Sequence, residues 1–264
     1  MMNNDDREAL MNAVRLLETP GFVARLANWV GVPMETIMKR LPASATEIVN
    51  RAVTGALEKC LEVALFRVDR GWGWFRSERA MKITVAATGA AGGAFGLSAL
   101  TLELPVTTAV MLRSIAEIGR AEGEDLQADE GRLACLEVLA LGGGNPSDDP
   151  SKMGYFGIRA VLAREVSEAL RHLATRSASR ETAPVLIRLI ETIAARFGVV
   201  VSEKAAAGAV PVIGALGSAT VNALFMDHFQ DMAHGHFTVR RLERKYGAEL
   251  VRSVYDQCLR EMRA

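Results

Sequence analysis

Two long stretches of the chain, residues 83–102 and 205–226, carry no charged side chain. Both are rich in Gly and Ala, small residues that let helix backbones approach each other closely. Elsewhere apolar positions recur with the 3.6-residue period of an amphipathic helix, for example from Ile48 to Val63 after a predicted helix start at Ala45. The pattern predicts an all-α protein, a multi-helix bundle built around two glycine/alanine-rich helices.

Proline and glycine positions predict where other helices begin and end. Pro105 suits the first turn of a helix that begins near residues 104–106, and Pro184 suits a second helix start with an end at Gly198. The cluster LGGGNPSDDPSKMG predicts a break at residues 142–154. We expect one helical domain over residues 1–264, with residues 1–82 as an N-terminal helical extension.

Composition narrows the classes of function. The 264 residues are 50% hydrophobic and 6% aromatic, and 31 basic side chains balance 31 acidic ones, so no overall field attracts nucleic acid. The glycine-rich run lacks the GK[ST] of a phosphate loop, and no nucleotide is expected. Three scattered cysteines and an acidic N-terminus without a signal-peptide pattern favour a cytoplasmic location.

The segment GWGWFRSERAMK, residues 71–82, places Trp72 and Trp74 beside basic side chains at the edge of an uncharged stretch. Such a mixture is typical of membrane-interface anchors. The alternative interpretation is a turn whose tryptophans cover a core. A second basic cluster, with Arg240 and Arg241, follows the other uncharged stretch, and a hairpin of the two stretches would bring both basic flanks to one side.

Residues 227–236 hold the side chains that a metal site needs. At 100° per residue, Asp227, Asp231 and His234 share one face of a helix and offer three ligands for a divalent metal ion. Amphipathicity alone also explains this polar face. No GxSxG or HExxH motif accompanies it, so no reaction class follows from the sequence.

Three polar residues are predicted to lie in apolar surroundings. The helical wheel puts Asn222 and His236 on the apolar side of their helix, and Glu103 directly follows the first uncharged stretch. Because a buried polar group needs a partner, we expect Glu103 to form a hydrogen bond with one of the other two if the stretches pack. Such a contact serves either as a core pair that fixes helix alignment or as a perturbed carboxylate on a ligand or proton path.

The chain resembles the EcsC family of bacterial proteins. The similarity rests on GAAGGAFGLSALTLELPVTTAVMLRSIAEIGRAEGEDL, on AVPVIGALGSATVNALF, on the EKxxxxAVPVxGA spacing and on the terminal HFxxRRLERxYG. It covers most of residues 83–247. The resemblance implies an all-helical protein of a family named for a gene beside an ABC-type transporter, with no agreed biochemical activity. It also marks Glu103 and Asn222 as matches to recurrent polar residues of the family.

These observations favour a non-enzymatic accessory protein at the inner face of the cell membrane. Trp72, Trp74, Arg240 and Arg241 are the predicted contacts with membrane lipid or a transporter protein. The competing interpretation is a metal- or carboxylate-dependent hydrolase that uses segment 227–236 together with Glu103. A third is a carrier whose small-residue helices bind a lipid-like molecule.

Overall fold

The computed structural model describes residues 2–18, 22–31, 45–66, 100–143, 154–175, 184–208 and 214–263. These residues form helices and their connections and contain no strand, which confirms the all-α prediction. The helices, in chain order, are α1 Asn4–Glu18, α2 Phe22–Val30, α3 Ala45–Phe66, α4 Leu100–Ala121, α5 Asp129–Leu141, α6 Tyr155–Ala174, α7 Pro184–Gly208, α8 Gly214–Tyr246 and α9 Ala248–Arg263.

Helix α8 is the axis of the bundle. It has 33 residues and is therefore about 50 Å long at 1.5 Å per residue. It packs against α1, α2, α4, α5, α7 and α9. Because neighbours surround it, both apolar and polar side chains of α8 are buried, including Phe225, Phe229, Gln230 and His236. Gly247, with φ of 87°, makes the turn into α9.

Helices α4 and α8 run parallel. The residue numbers of their contacting side chains increase together along both helices. The contacts are Glu103 with Asn222, Ser114 with Gln230, and, just beyond the end of α4, Glu122 with Arg241. An antiparallel hairpin would pair rising numbers with falling ones. Residues 100–102, the described end of the first uncharged stretch, belong to α4, whereas the predicted hairpin depends on residues 83–99, which lie outside the described residues. Arg241 lies at the opposite end of α8 from the start of α4.

The described helices share one cluster of buried side chains, to which each of α1–α9 contributes. The predicted break at residues 142–154 falls between the end of α5 at Leu141 and the start of α6 at Tyr155. Both helices pack against each other and against α7.

Three helix boundaries differ from the prediction. Helix α4 begins at Leu100, so Pro105 lies inside it and not in its first turn. Helix α7 continues through Gly198 to Gly208, because packing against α3 outweighs the low helix propensity of one glycine. The second uncharged stretch is divided, with residues 205–208 in α7 and 214–226 in α8. Of the first stretch, only residues 100–102 are among those described.

Within the described residues, no helix combines the length and the apolar character needed to cross a membrane.

Candidate functional site

A buried ionic cluster joins α4, α7 and α8. Lys204 Nζ donates to Glu103 Oε1 at 2.8 Å, and Asn222 Nδ2 donates to the same oxygen at 3.2 Å. The side chains of Lys204 and Glu103 are only 6% and 13% exposed, and Asn222 is buried. The hydrogen bond predicted for Glu103 is therefore present, with Asn222 as its partner.

The surroundings of this cluster are apolar. The Lys204 ammonium lies 4.9 Å from the centre of the Phe225 ring, a cation–π contact. Burial lowers the pKa of Lys204, although attraction to Glu103 acts in the opposite direction. Glu203 forms no part of the pair, and burial raises its pKa to about 7. The Glu103–Lys204 ion pair therefore lies in a poorly hydrated environment.

Further polar side chains lie buried along α4 and α8. Gln230 Nε2 donates to Ser114 Oγ at 2.6 Å. Thr107, one turn after Glu103 on the same face of α4, is 1% exposed, and its hydroxyl has no hydrogen-bond partner among the described residues. Polar contacts therefore join α4 and α8 at two points, Glu103–Asn222 and Ser114–Gln230, and they specify the alignment of the two helices more sharply than apolar packing alone.

His236 is fully buried, as predicted, but its partner is Tyr155 and not Glu103. The Tyr155 hydroxyl lies 3.0 Å from His236 Nδ1. Because Arg159 Nη1 donates to the same hydroxyl oxygen at 3.3 Å, we assign the hydroxyl proton to the bond with His236. Burial holds the pKa of His236 well below its ordinary value, and Arg159 and Arg240 act in the same direction. This imidazole is neutral.

His228 makes a second buried contact, with the end of α5. Its Nε2 lies 2.9 Å from the Gly142 carbonyl oxygen, so Nε2 carries the proton and donates. A Cβ at Gly142 would lie 2.7 Å from this nitrogen, which explains why the position takes glycine. Burial lowers the pKa of His228 to about 4.

Arg240 and Arg241 bond to carboxylates of the chain itself. Arg240 forms a bidentate contact with Glu124, at 2.8 and 3.2 Å. Arg241 Nε donates to Glu122 at 2.6 Å. Arg244 also bonds to Glu124. Burial alone would raise the pKa of Glu124, but the bonds from Arg240 and Arg244 outweigh it and hold this pKa below its ordinary value. Contact of Arg240 and Arg241 with lipid stays a prediction.

Asp6 ties α1 to the same end of α8. Its carboxylate accepts from Lys245 Nζ at 2.6 Å, from the Tyr246 hydroxyl at 2.7 Å and from Arg241 Nη1 at 3.3 Å. The bonds from Lys245 and Tyr246 lower the pKa of Asp6 to about 2. The position of Asp6 in α1 is set by Asn3, whose side chain caps the helix by accepting from the Asp6 backbone N–H at 2.7 Å.

The predicted metal ligands Asp227, Asp231 and His234 are not assembled into a metal site. In the part of the chain that the structure describes, no three His, Cys, Asp or Glu side chains are grouped so as to hold a metal ion. Asp231 instead pairs with Arg25 of α2, at 2.6 Å. Asp231 therefore joins α8 to α2.

Trp72 and Trp74 lie outside the described residues, and their contact with a membrane or a partner stays a prediction. The sequence interpretation missed Lys204 as the partner of Glu103. The available signal was the EKxxxxAVPVxGA spacing, in which Lys204 directly precedes an uncharged stretch. It also missed Asp6, since nothing in the sequence links a residue of α1 with Lys245.

Comparison with known proteins places the chain in a family. Neither the comparison with curated proteins nor that with solved structures gave a match. The family model of the EcsC protein family matches residues 75–242. This range includes Glu103, Lys204 and Asn222, and it excludes α1, α2, α3 and α9. Since the match extends over more than half of the chain, the protein belongs to the EcsC protein family.

Proposed function

We propose that this protein is a non-enzymatic accessory protein that works at the inner surface of the cell membrane. It binds lipid through residues 71–82, with Trp72 and Trp74 at the level of the headgroups. The association of the EcsC family name with an ABC-type transporter makes a transporter in the same membrane the second partner of this surface.

The observation that supports the proposal is the uneven distribution of charge along α8. The Glu103–Lys204–Asn222 contact brings together the described ends of both uncharged stretches. Arg240 lies eighteen residues after Asn222, about 27 Å along the helix. The described ends of the two uncharged stretches thus meet near Asn222, and the cations of residues 240–245 lie towards the other end of α8.

The Arg240 and Arg241 flank takes a different role in this proposal. Both side chains already have carboxylate partners, at distances of 2.6 to 3.3 Å. Binding to anionic lipid would have to compete with those partners. We therefore assign these arginines to holding the bundle together, and we assign lipid contact to the segment that contains Trp72 and Trp74.

Flotation of the purified protein with vesicles tests the proposal. Wild type is expected to float with phosphatidylglycerol/phosphatidylcholine vesicles, and Trp72→Ala/Trp74→Ala is expected to partition at least about tenfold less, because two indoles no longer enter the interface. Trp29→Ala is the matched tryptophan control and should float as wild type does. The proposal is wrong if folded wild-type protein stays at the bottom of the gradient with every vesicle composition.

The basic side chains of the segment provide a second comparison. Arg76→Gln/Arg79→Gln is expected to weaken flotation with anionic vesicles and to leave the small binding to pure phosphatidylcholine unchanged. Arg51→Gln/Arg164→Gln removes the same number of charges from side chains that are 74% and 83% exposed elsewhere. Equal losses in the two double variants would mean that only net charge matters, against a specific lipid-binding segment.

A further inference from the structure

Among the described residues, the Glu103–Lys204 pair is isolated from other ion pairs and lies at the junction where α4, α7 and α8 meet. Each is the only oppositely charged partner of the other among the described residues. Glu103 lies in the first turn of α4, and Lys204 lies one turn before the end of α7 at Gly208. Asn222 adds α8 to the contact. Side chains of three helices therefore meet at Glu103 Oε1.

Several apolar residues that lie within three positions of Glu103, Lys204 or Asn222 in the same helices are buried. Leu104, Val201, Ala207 and Val221 are each at most 2% exposed. In water their burial favours the closed junction, because separation of the helices would expose them. At a lipid surface the same side chains find apolar surroundings without being packed against each other. The apolar contribution therefore holds the junction closed in water and much less so at a membrane.

The charges act in the opposite sense. Removing two ions from water costs several kcal/mol for each ion, and their mutual attraction often does not repay this cost. At this site the two side chains are only 6% and 13% exposed, and burial lowers the pKa of Lys204 although Glu103 lies 2.8 Å away. When the start of α4 separates from the end of α7, both charges regain water. The pair therefore favours opening of the junction.

We propose that the Glu103–Lys204 pair is a release device, which keeps the junction of α4, α7 and α8 ready to open when the protein meets a lipid surface. The inference rests on the proposed function, and it adds how membrane binding is coupled to the fold. The open junction presents Leu104 and Val221 to the lipid and leaves the two charges among water and headgroups.

Three variants separate the release device from a purely structural pair. Glu103→Gln/Lys204→Met keeps the side-chain volumes and removes both charges, so it is expected to partition onto anionic vesicles about fivefold less than wild type. Glu103→Gln alone leaves the lysine unneutralised and should partition more than wild type. Glu103→Lys/Lys204→Glu restores a pair and should behave as wild type. Flotation measures all three.

Glu103→Gln/Lys204→Met is the decisive double variant, because neutral side chains of similar volume are expected to leave the fold at least as stable as that of wild type. Wild-type flotation with an equally strong double variant would overturn the release device and leave the proposed function intact. If wild type does not float, the proposed function fails, and hydrogen exchange in water decides on the device. Exchange at the first turns of α4 should then be slower in the double variant than in wild type, and equal exchange would overturn the device.

Discussion

Charged side chains are arranged differently at the two ends of α8. At the Asn222 end, Lys204 and Glu103 face each other with side-chain exposures of 6% and 13%, and no second ion pair joins them among the described residues. At the other end, the cations of residues 240–245 share Asp6, Glu122, Glu124 and Glu130, and the exposure of these cations rises from 14% at Arg240 to 51% at Lys245. One end holds a single buried pair, and the other holds a partly hydrated network.

This difference decides how each end responds to the loss of a charge. In the network, Glu124 accepts from both Arg240 and Arg244, so one cation remains when the other is removed. At the Asn222 end no second cation replaces Lys204 among the described residues. A buried charge without a partner is far costlier than a surface charge without one. The isolated pair is therefore the more sensitive element, although it involves fewer contacts.

Glu103→Gln is expected to have the largest effect on stability, because it removes the counter-charge of the buried Lys204. The amide keeps an acceptor for Asn222 but leaves the buried Lys204 ammonium without a counter-charge. We expect the free energy of unfolding to fall by about 3 to 5 kcal/mol, measured by urea denaturation at neutral pH.

A matched control for this prediction is Glu47→Gln. Glu47 also pairs with one cation, Arg51, at 2.6 Å, but the two side chains are 76% and 74% exposed. The expected change there is at most about 0.5 kcal/mol. Similar values for the two glutamates would show that burial of the Glu103 pair has no energetic consequence.

Acidification tests whether the middle of α8 is as poorly hydrated as the Asn222 end. Burial lowers the pKa of His228 from 6.5 to about 4. Above pH 6.5 the imidazole is neutral in both states. As the pH falls from 6.5 towards 4, only the unfolded chain takes up the proton, so stability is lost. The loss from this one group reaches about 3 kcal/mol below pH 4.

Carboxyl groups also titrate between pH 7 and 4, and the variant His228→Gln separates their effect from that of His228. His228→Gln keeps a side-chain N–H for the Gly142 carbonyl and does not titrate. The stability of wild type should fall by about 3 kcal/mol more than that of the variant between pH 7 and 4. Parallel pH profiles would show that His228 is protonated as readily in the folded protein as in the unfolded chain.

Much of the fold could be predicted because it depends on local sequence. Apolar periodicity located the helices, and Pro184 marked the start of α7. Pro105 and Gly198 misled the prediction of helix ends, because packing against α3 and other neighbours outweighs the preference of one residue. The parallel arrangement of α4 and α8 could not be predicted, since it depends on how the intervening helices return the chain.

The candidate site was predictable only in part. Asn222 stood out because it lies on an apolar helix face, and Glu103 stood out because it ends an uncharged stretch. Lys204 follows Glu203 in a helix with ordinary polar positions, so nothing local distinguishes a buried lysine from a surface one. The basic cluster of α8 looked exposed because its partners are more than a hundred positions away in sequence, at Asp6, Glu122 and Glu124.

Arg240→Gln probes the charged end of α8 and should have the smallest effect of the three changes. It removes the bidentate contact with Glu124 and the 3.2 Å contact with Glu130. Because Arg244 still bonds to Glu124, we expect a loss of about 1 to 2 kcal/mol in urea denaturation. Arg240→Gln/Arg244→Gln leaves Glu124 without either cation, and the loss should exceed the sum of the two single losses. Strictly additive losses would mean that the arginines do not substitute for each other, and the contrast between an isolated pair and a shared network would fail.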